Sequence, residues 1–392
     1  MAIRRKESLP HRGKERLRRY AGNTVLLLFT TVLCVIAAEA FFHLFPATLP
    51  MEVRQQLSTQ QGIAHSYIGH LHTPHHTGVI AGRDFKAIHH TDGHGFRNPW
   101  PWPAQVEIVT LGDSLTFGYG VDDAQAWPAI LAQKFSPLRV INLGLIGAGP
   151  EQYVRVYETF GHPLRPKLVV VGLYVGNDFS DAELFHRWVH AGAPGNYLVW
   201  RSFDKDGVIE GFLRRHSYLV HLLLHARAVY RSWVVSEPRQ LVLGASVRMQ
   251  LQPSRMTTLI GNAAPDQPAF QLVLQALTRL HALATAQGTR VLVIFQPTKE
   301  QVYLPLLGES VRDPSAPLRA VLEAQGIPYF DLLPAFRRHA EGRQQLFFAA
   351  DSHPNQQGYQ LIAQEVFAHL RHKAAAYGLH NIGILPNYST FR

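Results

Sequence analysis

The chain of 392 residues has a single cysteine, Cys34, which excludes an intrachain disulfide framework and a cysteine-rich zinc site. It also lacks the GxxxxGKS/T phosphate-binding pattern, an acidic residue placed for a dinucleotide ribose, and the HExxH spacing of a helical zinc site. We therefore expect no nucleotide cofactor and no metal.

Acidic residues are fewer than basic ones, 28 against 38, so the chain carries a net charge of +10. Residues 1–22 alone contain eight Lys or Arg and two Asp or Glu, a charge of +6, which leaves +4 for the rest. Because the excess is concentrated at one end, a nucleic-acid partner has little electrostatic support and is not expected.

The long apolar run at residues 23–45 is sufficient to cross a bilayer, and it follows the basic segment 1–22. The positive-inside rule then predicts a single-pass protein with a cytoplasmic N-terminus and an extracytoplasmic remainder, periplasmic in a Gram-negative cell. Glu39 lies near the outer end of the run, where a carboxylate reaches the interface. Ala38-Glu39-Ala40 also fits a signal-peptide cleavage site, but the long basic segment favours an uncleaved anchor.

Residues 46–104 form a lead-in rich in Pro, Gly and His, with eight histidines between His65 and His94. This tract is the one feature that suggests a metal. Without cysteines or a helical ligand spacing, such imidazoles are more typical of surface or hydrogen-bonding side chains.

From residue 105 to 372, buried strand patterns alternate with helical ones, which predicts an α/β three-layer fold with a parallel sheet. The predicted strands are Val106–Gly112, Leu138–Leu143, Lys167–Val175, Val291–Phe295 and Ile327–Leu332. An insertion at about 179–265 is too long for a loop and is interpreted as a cap or a partner surface. Within it we expect a small hairpin or turn at 203–212, an amphipathic helix at 216–233 and an irregular stretch at 236–266. Residues 373–392 form a tail.

Four short polar blocks fall where a strand end or a loop would face the same edge of the sheet. Gly112-Asp113-Ser114 closes the first predicted strand, at a strand-to-helix turn where ligands of open α/β sheets bind. Asn142-Leu143-Gly144 and Gly176-Asn177-Asp178 follow the next two strands. Asp351-Ser352-His353 lies before the last helix.

Together these blocks resemble the SGNH, or GDSL-type, hydrolase family over about residues 90–372, including membrane-anchored members associated with acyl esters of extracytoplasmic glycans. The resemblance implies five parallel strands in flavodoxin-like order, preceded by a strand at Gly95-Phe96-Arg97 that packs beside the active-site rim. It also implies Ser114 as nucleophile, His353 as general base and Asp351 as its orienting carboxylate, because a serine hydroxyl needs an oriented imidazole to accept its proton. The family often has two residues between Asp and His, whereas only Ser352 intervenes here.

The oxyanion hole implied by the resemblance consists of the Ser114 N–H, the Gly144 N–H and the Asn177 side-chain amide. Asp113 and Asp178 are assigned to shaping their loops. The Gly-rich turn that begins at Gly147 is expected to let the backbone approach the substrate.

We therefore expect a serine esterase that removes O-acetyl or other O-acyl groups from an extracytoplasmic glycan. An O-acetyltransferase with the same three residues is the alternative, because water exclusion and pocket shape choose the acceptor. A non-catalytic glycan-binding or assembly subunit is the second alternative. The implied partners are an acylated carbohydrate or small ester, the membrane and polysaccharide-assembly proteins.

Overall fold

The computed structural model describes residues 11–50, 53–54, 62–203, 213, 217–234, 239–244 and 246–379. The chain divides into two units, one of residues 1–57 with 206–230 and a larger one of residues 58–205 with 231–392. The start of the basic segment, most of the turn predicted at 203–212 and most of the predicted tail lie outside the described residues.

The secondary structure of the described residues is as follows. The strands are β1 Ile63–His65, β2 Gly69–Leu71, β3 Thr77–Ala81, β4 Lys86–His90, β5 Ile108–Gly112, β6 Val140–Gly144, β7 Leu168–Tyr174, β8 Arg239–Leu243, β9 Val247–Leu251, β10 Arg290–Gln296 and β11 Tyr329–Asp331. The α-helices are α1 His11–Leu44, α2 Ser114–Phe117, α3 Trp127–Lys134, α4 Pro150–Val156, α5 Asp178–His190, α6 Tyr197–Phe203, α7 Tyr218–Val234, α8 Pro253–Asn262, α9 Pro268–Ala286, α10 Lys299–Tyr303, α11 Ala316–Ala324, α12 Leu333–Glu341 and α13 Gln356–His372.

A five-stranded parallel sheet forms the centre of the larger unit, with the order β11-β10-β7-β5-β6. Counted along the chain, this is the flavodoxin-like order 2-1-3-4-5, so the predicted fold class is confirmed. Every residue of β7 is buried, as in a parallel sheet that is covered on both faces.

Successive residues of one strand enter different hydrophobic cores, because strand side chains alternate between the faces of a sheet. Val169 and Val171 lie in one core with residues of α4, α5, α9 and α11. Leu168 and Val170 lie in the other with residues of α3, α10, α12 and α13. Helices therefore cover both faces, which gives the predicted three layers.

The stretch at 236–266 was predicted to be irregular, and this prediction is wrong. It contains the antiparallel hairpin β8–β9 followed by helix α8. Alternate hairpin side chains, such as Leu241 and Met249, join the second core. The Gln250 N–H also donates to the Ala349 carbonyl at 2.9 Å. Cross-strand pairing and burial of one hairpin face organise this polar sequence, and the hairpin packs beside the loop that leads to Asp351.

The lead-in contains two antiparallel hairpins, β1–β2 and β3–β4. The strand predicted at Gly95-Phe96-Arg97 is a turn instead. Its Arg97 side chain is buried and donates to the carbonyls of Gly118 and Val121, at 2.6 and 2.5 Å, while it pairs with Asp123. A buried guanidinium needs several acceptors, and these carbonyls together with Asp123 provide them.

In the smaller unit, residues 18–44 of helix α1 are long and apolar enough to cross a membrane. Glu39 of this helix caps α7: its carboxylate accepts hydrogen bonds from the Ser217 hydroxyl at 2.8 Å and from the N–H groups of Tyr218 and Leu219 at 2.7 and 3.1 Å. The first N–H groups of a helix lack intrahelical partners, so a carboxylate stabilises this end. The amphipathic helix predicted at 216–233 is confirmed as α7.

The backbone packs closely at the ends of the central strands. A Cβ at Gly144 would lie 2.3 Å from the Phe117 nitrogen, so a substitution there tests this packing. We expect Gly144→Ala to cost about 3 kcal/mol through overpacking. This corresponds to a thermal midpoint roughly 6–12 °C lower. Differential scanning fluorimetry of the detergent-solubilised chain measures the shift.

Gly261→Ala is the matched control, since no heavy atom lies within 4 Å of a Cβ at that helical position. Alanine is the better helix former, so its midpoint should not fall. Equal midpoints for the two variants would contradict the packing analysis.

Candidate active site

Ser114 lies at the carboxyl edge of the sheet, where β5 turns into helix α2. The Asp113 carboxylate fixes this turn by accepting a hydrogen bond from the Leu115 N–H at 2.9 Å. Ser114 is 8% exposed, which leaves its hydroxyl at the surface of a mostly buried turn. As the first helical residue, Ser114 also has an N–H without an intrahelical acceptor.

The structure brings Ser114, His353 and Asp351 together. The Ser114 Oγ lies 2.8 Å from the His353 Nε2, and the His353 Nδ1 lies 2.6 Å from the Asp351 Oδ1. Since a carboxylate only accepts, Nδ1 carries the proton and Nε2 is left as the acceptor for the serine hydroxyl. This arrangement meets the geometric requirement for a nucleophile with a general base.

The short spacing between Asp351 and His353 does not prevent their contact. The same Asp351 Oδ1 also accepts the His353 backbone N–H at 2.8 Å, so the carboxylate closes a tight local turn. Burial acts to raise the pKa of Asp351, but the hydrogen bonds and positive charge of His353 lower it to about 2. Asp351 therefore stays ionised at neutral pH and can stabilise a protonated imidazole.

Two further side chains hold the histidine in place. The ring of Tyr119 stacks on the His353 imidazole, with 4.3 Å between ring centroids. Burial raises the pKa of Tyr119 to about 12, so it remains neutral. The buried Lys299 ammonium donates to the carbonyls of Asp351 at 2.8 Å and Ala349 at 3.1 Å, and thereby ties α10 to the loop that carries Asp351. This role of Lys299 is not evident from the sequence.

Asn177 lies at the same edge, after β7, and its amide faces two carboxylates. Its Nδ2 donates to the Asp181 Oδ2 at 2.9 Å and to the Asp113 Oδ2 at 3.2 Å. Burial raises the pKa of Asp113 and brings that of Asp181 to about 7, while Arg201 opposes the latter shift. One N–H of the amide thus points toward the residue that precedes the nucleophile.

Asp178 has the loop-shaping role expected from the sequence. Its carboxylate accepts the Tyr174 N–H at 2.8 Å and the Tyr153 hydroxyl at 2.6 Å. Burial, reinforced by the nearby Asp113 charge, raises the pKa of Asp178 well above its ordinary value. It has no contact with His353 among the described residues.

Gly144 differs from its predicted use, because its N–H already donates to the Asn142 Oδ1 at 2.8 Å. It is a packing position under α2 instead of a free donor. All residues of the loop at 145–149 are described. The N–H of Gly147 has no hydrogen-bond partner within this part of the structure, whereas the other four N–H groups of the loop are bonded. The Gly-rich pattern beginning at Gly147 was the sequence signal for this residue.

A cleft of about 370 Å³ lies next to residues that contact His353, although neither His353 nor Ser114 lines it. Gly120, which follows the stacking Tyr119, lines it, and so does Phe348, whose N–H donates to the His353 carbonyl at 3.1 Å. Most of the side chains that line the cleft are amides or aromatic rings. They include Phe85, Gln125, Gln345, Phe348, Gln356 and Gln357. No carboxylate occurs among its described lining residues, and Lys86 is charged.

Histidines of the lead-in contact the active-site loops. His70 Nε2 lies 2.9 Å from the Ile146 carbonyl, and His72 Nε2 accepts the Ile146 N–H at 3.3 Å. Burial lowers the pKa of His70 to about 4 and that of His72 to about 3, so both are neutral at pH 7. Across the described part of the chain, no group of three or more His, Cys, Asp or Glu is arranged to hold a metal ion.

Comparison with known families identifies the class of protein. The model of the GDSL-like lipase/acylhydrolase family matches residues 110–361, which is more than half of the chain. The chain therefore belongs to this family and is an ester hydrolase.

Solved structures similar to this chain include a lipolytic G-D-S-L family protein from Veillonella parvula DSM 2008, at 16% identity over 67% of this chain and 97% of that chain, with a TM-score of 0.36. LAE5, an α/β hydrolase from the metagenome of Lake Arreo, is 19% identical over 71% and 98%, with a TM-score of 0.36. A catalytic mutant of the acetylxylan esterase Axe2 from Geobacillus stearothermophilus is 13% identical over 68% and 93%, with a TM-score of 0.35. No curated protein matches the chain.

Lys299 provides a test of how the Asp351 loop is held. Lys299→Met keeps the buried stem but removes all donors to the loop carbonyls. Because small displacements of catalytic groups cost about 100-fold, we expect a loss of that size in kcat for p-nitrophenyl acetate.

Lys167→Met is the control, because Lys167 is exposed and precedes β7 at the opposite edge of the sheet. It should retain the wild-type rate. Similar rates for the two variants would show that Lys299 does not support the loop.

Proposed function

We propose that this protein is a serine esterase that removes small O-acyl groups, such as acetyl, from a glycan outside the cytoplasm. The observation that carries the proposal is the pair of contacts from Ser114 through His353 to Asp351, at 2.8 and 2.6 Å. These distances lie within the hydrogen-bond reach that general-base catalysis needs.

In the proposed reaction, the Ser114 Oγ attacks the ester carbonyl while the His353 Nε2 accepts its proton. The tetrahedral intermediate collapses, and the sugar hydroxyl leaves with the proton from His353. Water then attacks the acyl-serine, again losing its proton to His353, and the carboxylic acid leaves as Ser114 is restored. Asp351 stays ionised and stabilises the imidazolium in both steps.

We propose that the oxyanion is bound by the N–H groups of Ser114 and Gly147 together with the Asn177 amide. Gly147 replaces Gly144 in this role because its N–H is the unbonded one in the loop. A single preset donor of this kind contributes about 3–4 kcal/mol to transition-state stabilisation.

The cleft near His353 supports a carbohydrate substrate. Side-chain amides both donate and accept hydrogen bonds, which suits the neighbouring hydroxyls of a sugar. A site for a long acyl chain would be lined mainly by apolar side chains. The amide lining therefore favours a polyhydroxylated leaving group over a lipid.

We propose that helix α1 remains attached as a membrane anchor, with the basic N-terminus in the cytoplasm. Glu39 supports this, because cleavage after Ala40 would remove the carboxylate that caps α7. Capping interactions contribute about 1 kcal/mol each. Proteins that assemble or export polysaccharide are the proposed partners at the membrane.

A serine-directed fluorophosphonate tests the nucleophile in membranes that contain the protein. We expect labelling of Ser114 that disappears in Ser114→Ala, and ester hydrolysis that disappears with it. Asp351→Asn, which leaves His353 without an ionised partner, should lower kcat by roughly 10³- to 10⁴-fold.

A wild type that neither hydrolyses the ester nor is labelled would contradict the proposal. That result would indicate a non-catalytic glycan-binding subunit. The intact mass of the labelled protein distinguishes an anchor, which keeps residues 1–40, from a cleaved signal peptide.

The cleft is tested with an O-acetylated oligosaccharide. Gln357→Ala removes one amide, and the loss of a hydrogen bond of about 1 kcal/mol should raise KM about fivefold. Gln271→Ala, at an exposed position of α9, is the control and should keep the wild-type KM. Equal KM values for the two variants would contradict a sugar site in this cleft.

The same assay, with unacetylated oligosaccharide added, distinguishes the acceptor. Free acetate indicates the esterase, and acetylated oligosaccharide indicates the O-acetyltransferase that the same residues can also support.

A further inference from the structure

Two side chains outside the Ser114–His353–Asp351 set, one buried and one half-buried, contact the loops that present the proposed oxyanion donors. Arg201 lies in α6, within the insertion, and His70 lies in β2, within the lead-in. Their contacts converge on the loop after β6 and on the start of α5. Neither residue belongs to the four blocks that resemble the family.

Arg201 makes two contacts with different elements. Its Nη2 lies 2.6 Å from the Asp181 Oδ1, and its Nη1 donates to the Gly147 carbonyl at 2.8 Å. A planar guanidinium holds two acceptors in a fixed relative geometry, which a flexible ammonium does not. Arg201 therefore couples the start of α5 to the loop after β6.

The Asp181 carboxylate determines how the Asn177 amide is oriented. The shorter of the two Nδ2 contacts, at 2.9 Å, is to Asp181, and the 3.2 Å contact is to Asp113, next to the nucleophile. The Asn177 Oδ1 is buried and has no partner among the described residues, so the oxygen does not fix the orientation. The longer contact is the one that an oxyanion beside Ser114 can replace.

Without Arg201, the preference of Asp181 for this orientation would weaken. Burial already brings the pKa of Asp181 to about 7 against the opposing effect of the guanidinium, and removal of that positive charge would favour the protonated acid. A carboxylic acid donates as well as accepts, so Asp181 would no longer select the Asn177 nitrogen over its oxygen, and the reversed amide would become accessible. The reversed amide would then present an oxygen to the developing negative charge.

His70 acts on the second donor. It lies 2.9 Å from the Ile146 carbonyl, and because a carbonyl only accepts, its Nε2 carries the proton. The Ile146 carbonyl and the Gly147 N–H belong to one planar peptide group. Holding the oxygen on one side therefore aims the N–H to the other.

We propose that Arg201 and His70 are positioning residues for the ester chemistry. Arg201 orients the Asn177 amide through Asp181, and His70 orients the peptide group between Ile146 and Gly147. The inference rests on the proposed function, because both groups act only if Ser114 forms an acyl intermediate.

The test compares variants of the full detergent-solubilised chain with p-nitrophenyl acetate, with kcat expressed per site titrated by fluorophosphonate. Arg201→Gln should lower kcat about 10- to 100-fold, less than the complete loss of an oxyanion donor, with KM within about twofold. Arg201→Lys keeps the charge but not the fork and should fall between Gln and the wild type.

Arg139→Gln is the matched control, because Arg139 forms an ion pair with Glu107 near the start of β6, away from these loops. It should retain the wild-type kcat. For the second residue, His70→Gln keeps an N–H at the ε position and should preserve most of the kcat. His70→Leu has no donor and should lose about 10- to 100-fold.

An Arg201→Gln kcat equal to that of Arg139→Gln, or an effect confined to KM, would overturn the role of Arg201. Equal losses in His70→Gln and His70→Leu would overturn that of His70. If Arg201→Gln does not fold, two other comparisons of kcat still test the proposal. They are Arg201→Lys against the wild type, and His70→Gln against His70→Leu. A wild type without hydrolysis or labelling would instead refute the proposed function, and this inference with it.

Discussion

The contact between the Ser114 hydroxyl and the His353 imidazole is the interaction on which the site depends, and it joins residues 239 positions apart. A parallel sheet makes it feasible, because all its strands end at one edge, where the turns that follow them meet. The β5–α2 turn places the serine, and the loop before α13 places the histidine. Asp351, Lys299 and Tyr119 then restrict this imidazole by charge, by loop support and by stacking.

Around this contact the polar groups are buried and mostly paired, which makes their orientations definite. Asp113, Asp178 and Asp181 hold backbone N–H groups and the Asn177 amide close to the nucleophile. The lead-in takes part as well, since His70 and His72 bond the Ile146 peptide groups. A segment that looked like a connection in the sequence is thus part of the active-site wall.

The sequence predicted the features that local patterns encode. The β-branched runs identified the strands of the sheet, and the polar blocks at their ends identified Ser114, Asn177, Asp351 and His353 as neighbours. Predictions from the sequence were wrong where the structure depends on which residues pair in space. The sequence assigned the oxyanion donor to Gly144, but the N–H of Gly144 bonds to Asn142 at 2.8 Å, whereas that of Gly147 is unbonded. The hairpin β8–β9 was missed because its sequence is polar. Its two strands pair where one face of the hairpin packs on the second core.

The amino-acid sequence by itself determined the class of fold, the family and which edge of the sheet carries the chemistry, because hydrophobic periodicity and strand-end motifs are local properties. The tertiary structure decided which N–H groups are free, which carboxylates face one another, and that Arg201 and His70 reach the same loop. These depend on distances between atoms remote in sequence, and a hydrogen bond forms only within about 3.5 Å, a distance that spacing along the chain does not encode.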